Sequence, residues 1–212
     1  MKLYSYFRSS ASYRIRIALN LKGIEYEYHP INLLAGEQRS EAYLAINPLG
    51  LVPSLVLDDG EVLTQSIAVL EYLDERYPEP PLLPKDALAR ARVRSIATSV
   101  ACEIQPLCNI GVTNHLQEVF DAEQDDIAAW YEHWMPRGFQ AVEHMLASQT
   151  TDFASGSAPG MADIFLVPQV YNARRFQVDM GPYPNINRIV DACNAQPAFA
   201  DAAPERQPDS TL

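Results

Sequence analysis

At 212 residues the chain holds enough material for one large domain or two small ones, and 48% hydrophobic content suffices for a buried core. Twenty-seven acidic against 16 basic residues leave a net charge of -11, which excludes nucleic acid and anionic lipid as general partners, so an anionic ligand must be held by local arginines. Cys102, Cys108 and Cys193 are odd in number and lack the paired C-x-x-C spacing of a zinc or redox site, which points to reduced, buried thiols in a cytoplasm.

The chain opens on strand-like sequence without a basic-then-apolar signal pattern, and no apolar run reaches membrane-spanning length, so the expectation is a cytoplasmic protein with no membrane partner. Lys2 to Tyr6 alternate as a short strand, and Ala11, Ile15, Ala18, Leu19 and Lys22 fall at helical spacing. The turn between them, Arg8 to Ser10, precedes a helix N-terminus where unpaired amides and the helix dipole favour a phosphate, a carboxylate or a thiolate. Ser9, Ser10 and Ser12 add hydroxyl donors there, although helix capping alone accounts for one serine.

Lys22-Gly23 stops the helix, and Ile24 to Ile31 reads as a second strand, giving a parallel βαβ unit. A short helix centred on Glu41 to Ala45 is closed by the turn cluster Asn47-Pro48-Leu49-Gly50. Val52 to Leu57 begins a third strand, with Pro53 marking an edge, a special turn or a cis bond, among which sequence alone does not choose. Asp58-Asp59-Gly60 turns the chain into an antiparallel fourth strand, and Thr64-Gln65-Ser66 opens a periodic helix ended by Pro78. This order over residues 1–77 describes an α/β sandwich of the thioredoxin kind.

A proline-rich linker within 78–86 separates domains expected at 1–80 and 86–212. Beyond it the strand signals vanish, and alanine-rich helices are expected at about 87–108, 124–148, 161–173 and 185–195, with Pro106 and Pro136 as breaks or kinks and 109–123 unassigned. Asp163 sits at the third position of the 161 helix, where a carboxylate bonds the helix start. His29, His115, His133 and His144 lack metal-ligand spacing, so no metal is expected.

Taken together, Tyr4-Ser5-Tyr6-Phe7-Arg8-Ser9-Ser10 with Arg14-Ile15-Arg16-Ile17-Ala18-Leu19, Asn47-Pro48 with Val52-Pro53, Gln65-Ser66-Ile67-Ala68, Met161-Ala162-Asp163, Arg175-Phe176 and Gln207-Pro208-Asp209 resemble the zeta class of glutathione transferases. The order and spacing of these words span almost the whole chain. The resemblance implies the glutathione transferase fold, with a thioredoxin-like N-terminal domain and an all-helical C-terminal one. It implies glutathione as cofactor, a homodimer, and cis-trans isomerisation of a small dicarboxylic keto acid, maleylpyruvate ahead of maleylacetoacetate. A conjugating or dehalogenating transferase and a non-catalytic binding module are the competing classes; glutathione binding separates the last from the others, and isomerase activity separates the first.

The resemblance assigns Ser9 as donor to the glutathione sulfur, with Ser10 beside it, Val52 and Pro53 as the edge pairing with the cysteinyl backbone, and Gln65 and Ser66 as binders of the glutamyl end. Gln105 and Asn109 come from the helical half, and Arg8 and Arg175 are the expected carboxylate forks, with Arg174 adding positive charge. The chain departs from the class at Ala11 (commonly cysteine), Tyr13 (tryptophan), Gly160 (the capping threonine) and Cys108 (often glutamine). Isomerisation needs only the glutathione sulfur, so the loss at Ala11 leaves it intact.

Overall fold

The computed structural model describes residues 1–212, and their contacts divide the chain into two units, Met1–Pro81 with Ala195–Leu212, and Leu82–Asn194. The first unit runs β1 (Lys2–Ser5), α1 (Ser10–Leu21), β2 (Glu27–Pro30), α2 (Glu41–Leu44), β3 (Ser54–Val56), β4 (Val62–Thr64) and α3 (Ser66–Arg76). The sheet order is β2-β1-β3-β4. β1 is parallel to β2, with Leu3 opposite Tyr28, and antiparallel to β3, with Leu3 opposite Leu55. β3 in turn is antiparallel to β4. Leu3, Ile15, Ile17, Leu19, Leu55, Leu70 and Leu73 have no exposed surface and form the core.

The last 18 residues, expected in the helical half, belong to this first unit. Their short helix, Pro197–Ala200, packs on α1: the Tyr13 hydroxyl and the Asn20 amide donate to the carbonyls of Phe199 and Ala198, at 3.3 and 3.0 Å. Helical periodicity assigns α1 one apolar face, yet Ser12 through Leu19 are all buried because this tail covers the other face. The aromatic at position 13 keeps a packing role as tyrosine.

The tail also holds the turn between β1 and α1. One Asp209 carboxylate oxygen accepts from the Phe7 amide (3.1 Å), and the other accepts from the Tyr28 hydroxyl (2.6 Å). Burial, reinforced by this bond to a carboxylate, pushes the Tyr28 phenol far up. From the opposite side Arg16, with no exposed surface, donates to the carbonyls of Phe7 and Ala202 (both 2.9 Å) and to the Ser5 hydroxyl (3.2 Å). Both polar groups of Phe7 are therefore pinned.

The second unit is helical: α4 (Ala87–Thr98), continuing as a π-helical stretch Ser99–Ile104, then α5 (Ile110–Phe120), α6 (Gln124–Leu146), α7 (Met161–Arg175) and α8 (Pro184–Asn194). α7 packs against α4 and α8, burying Ile164, Phe165, Leu166 and Val170. Gly138 of α6 lets Ile104 occupy the space a Cβ would take. α5 fills the stretch that the sequence left unassigned: its exposed Ile110, Val119 and Phe120 blur the apolar pattern. Asn109 starts it by accepting from the amides of Gly111 and Val112.

Asp163 accepts from the amides of Ala154 (2.7 Å), Ser155 (3.1 Å) and Gly160 (3.0 Å). Complete burial pushes its carboxyl up, and these bonds work against that. The cap hydroxyl absent at Gly160 is supplied from elsewhere: Ser155 Oγ accepts from the Ala162 amide at 3.1 Å, within the first turn of α7. Ser155 also occupies the room, since a Cβ on Gly160 would stand 2.9 Å from Ser155 Cβ and 2.5 Å from the Leu82 carbonyl.

Restoring the class threonine by Gly160→Thr should therefore destabilise the protein, by about 1–3 kcal/mol through overpacking. A urea midpoint at or above wild type would show that the site accepts the side chain. Asp209→Ala strands two donors and should cost about 2–4 kcal/mol, with Asp209→Asn costing less because it keeps an acceptor. Equal urea midpoints for all three proteins would show that Asp209 does not hold the turn.

Candidate active site

The helix start anticipated at Arg8–Ser10 is formed, with Ser9 as the N-cap of α1. Ser9 Oγ accepts from the Ser12 amide (3.2 Å) and the Ser9 carbonyl from the Tyr13 amide (2.8 Å). Capping and ligand binding are thus compatible, because the cap uses a lone pair of the hydroxyl and leaves its proton to donate. The amides of Ser10 and Ala11 precede the first intrahelical bonds and share this mouth. Ser9 is half-buried and Ser10 buried. Ser12, expected as a further donor, has no exposed surface and cannot reach a ligand. Arg8 is half-buried, its guanidinium carbon 5.0 Å from the Phe7 ring centroid, and its Nε has no hydrogen-bond partner.

The Val52-Pro53 peptide is cis, which resolves the alternatives left open at this proline. β3 begins only at Ser54, so Val52 stands outside the sheet, and neither its amide nor its carbonyl takes part in a turn or loop bond. The approach to it is rigid. Tyr43 Oη bonds the Leu51 carbonyl (2.7 Å) and Ser54 Oγ (2.9 Å), and buried Asn47 donates to the Leu51 carbonyl (2.8 Å) and accepts from the Leu49 amide (3.1 Å). Gly50 is left-handed (φ 60°), and a Cβ there would stand 2.9 Å from the Gln38 carbonyl. An extended peptide laid beside Val52 finds a free donor and acceptor, as an added strand requires.

At the third place, Gln65 caps α3 with φ 67° and ψ 114°, outside the ordinary regions for a residue with a side chain. Its side chain is exposed, whereas Ser66, the first helical residue, is buried. Ser66 Oγ accepts from Arg14 Nη1 at 3.1 Å. Arg14 and Arg16 lie in the α1 interior, where sequence reasoning does not place arginine; the signal available was two arginines within an otherwise apolar helical run. Asp209 and Tyr28 likewise escaped as supports, since nothing local marks a partner about 180 to 200 residues away, and Tyr43 reaches Leu51 and Ser54 only across the turn that separates them.

Within the helical unit, Gln105 is half-buried at the end of the π-helical stretch. Asn109, expected to line a ligand, spends its oxygen on capping α5 and its amide on the Pro106 carbonyl. Arg175 is exposed at the end of α7, its guanidinium carbon 4.6 Å from the Phe176 ring centroid, and Phe176 stacks on Tyr131 at 4.1 Å. Arg174 does not add free charge: it bonds Asn187 (3.2 Å) and faces Asp191 (3.6 Å) on α8. Burial pushes the Cys108 thiol up to about 12, so it stays protonated at neutral pH and is no nucleophile.

Comparison with known proteins agrees with this geometry. Residues 8–76 match the glutathione S-transferase N-terminal domain family. The chain is 49% identical to the maleylacetoacetate isomerase of Pseudomonas aeruginosa, over 99% of both sequences. Among solved structures it superposes on the holo form of a bacterial zeta-class maleylpyruvate isomerase with a TM-score of 0.97, at 46% identity and full coverage of both chains. It also matches the maleylacetoacetate isomerase of Anaeromyxobacter dehalogenans with bound dicarboxyethyl glutathione and citrate, with a TM-score of 0.89, at 44% identity, over 99% of this chain and 93% of that one. With a thioredoxin-like sheet, a serine-capped α1 and a cis-proline edge, and with relatives this similar along its whole length, the chain belongs to the zeta class of the glutathione transferases.

Proposed function

We propose that this protein is a glutathione-dependent cis-trans isomerase that converts maleylpyruvate to fumarylpyruvate in gentisate-type aromatic catabolism. The observation that carries the reading is the concentration, in one thioredoxin-like unit, of the three features that glutathione requires. These are a hydroxyl and free amides at the α1 mouth, an unpaired peptide edge at Val52, and a buried hydroxyl at the start of α3. Bound glutathione supplies a thiolate whose reversible addition across the cis double bond leaves a single bond free to rotate, and whose elimination yields the trans product.

The chain's own groups act around that chemistry. Ser9 donates its hydroxyl proton to the sulfur, and the Ser10 and Ala11 amides add the positive end of the helix dipole, so the thiol ionises at neutral pH. Val52 pairs with the cysteinyl backbone, and Gln65 and Ser66 receive the glutamyl end, with Gln105 as a further contributor and Asn109, its side-chain groups engaged, contributing by fixing the start of α5. Arg8 and Arg175 hold the substrate carboxylates and oppose the negative charge that develops on the keto oxygen during addition. We place the enzyme in the cytoplasm as a homodimer, on the ground of its class; no helix is long and apolar enough to cross a membrane.

Maleylacetoacetate is the second reading, favoured by the 49% identity to the Pseudomonas aeruginosa isomerase of that name. Both keto acids offer the same reactive centre, so the two readings differ only in chain length beyond it. Turnover of each with and without glutathione decides between them. The proposal expects glutathione-dependent turnover with maleylpyruvate preferred. Chlorodinitrobenzene conjugation without turnover of either keto acid would point to a conjugating transferase instead.

Ser9→Ala should move the acidic limb of the kcat/KM profile upward, toward the free thiol value of about 8.5, and lower the rate at pH 7 about tenfold or more. Because the thiolate is the reactive form, the loss should shrink as pH rises through that value. Arg175→Ala should instead raise KM for the keto acid. Wild-type profiles and KM values in both variants would rule out the assignment.

A further inference from the structure

We infer that Arg14 is a positioning residue for glutathione, orienting the Ser66 hydroxyl as a donor to the glutamyl α-carboxylate. This rests on the reading of Ser66 as a glutamyl contact. Arg14, 1% exposed, sits on α1 and crosses to the start of α3, where its Nη1 lies 3.1 Å from Ser66 Oγ. A guanidinium has donors only, so in this bond the hydroxyl oxygen must accept. The hydroxyl proton is thereby turned away from Arg14 and is free to donate to a ligand. A hydroxyl whose oxygen faces a cation is also a stronger donor to an anion, because its bond is polarised.

Ser66 has no competing duty in the helix. The cap position of α3 belongs to Gln65, which makes no side-chain capping bond, and Ser66 is the first residue inside the helix. Arg14 is too deeply buried to touch the ligand, so its effect passes through the serine. A neutral apolar residue at 14 would remove the donor that holds the hydroxyl oxygen, and with it the fixed orientation of the proton.

The test compares glutathione with 4-aminobutyryl-Cys-Gly, which is glutathione without the α-carboxylate, by calorimetric titration of the full-length protein. The ratio of the two dissociation constants within each variant isolates carboxylate recognition, because general loosening weakens both ligands alike. Arg14→Met and Ser66→Ala should each lower that ratio about tenfold. The double variant should fall no further than either single one, and Arg14→Lys, which keeps a donor, should recover part of the ratio. Should Arg14→Met fail to fold, Arg14→Gln provides the neutral comparison. A ratio that drops in Ser66→Ala but stays at wild type in the neutral Arg14 variants, or strictly additive losses, overturns the role of Arg14 alone. An unchanged ratio in Ser66→Ala overturns the glutamyl assignment itself.

Discussion

The peptide of Phe7 is the constraint on which the site depends. Its amide donates to Asp209 and its carbonyl accepts from Arg16, so the residue two before Ser9 is held from both sides by charged groups. A helix mouth stabilises an anion only if its amides and hydroxyl stay aimed at one point, since a loose turn would spend binding free energy on ordering itself. The cost of fixing this turn is burial of a guanidinium, which lowers the Arg16 pKa, and three carbonyl groups and a hydroxyl offset it. The final residues of the chain are thus part of the ligand-binding unit.

A common logic governs the supports of the proposed glutathione contacts. Each contact is a small group, a serine hydroxyl or a backbone edge, and each is aimed by larger side chains that are themselves buried or, for Asp209, half-buried. Arg16 and Asp209 set the turn before Ser9, Tyr43 and Asn47 set the segment before Val52, and Arg14 holds Ser66. Small groups with rigid supports suit a cofactor that must be held in one pose while a bond forms and breaks at its sulfur.

Much of this was legible in the sequence because it is local. Alternating residues before a serine-rich turn, a proline at a strand entrance and a hydroxyl at a helix start each announce themselves within a few positions, and the zeta-class words fixed their order. What stayed hidden is what long-range packing decides. Tail residues cover α1, so its second face is buried and its arginines turn inward, neither of which periodicity can express. The cap of α7 moved from position 160 to Ser155, a substitution visible only once the 153–156 turn is seen beside the helix. The exposed apolar residues of α5 obscured a helix that Asn109 begins, and Arg174 took an ion pair that the local sequence does not reveal.

On the proposed reading, the N-terminal turn makes bound glutathione a thiolate at neutral pH. The most direct test is titration of the ultraviolet thiolate band of the binary complex between wild-type protein and glutathione, referenced to the protein with S-methylglutathione. The expected ionisation lies well below the free thiol value, with the band fully developed at pH 7. A bound thiol that titrates where free glutathione does would contradict it, whatever the enzyme's rate with either keto acid.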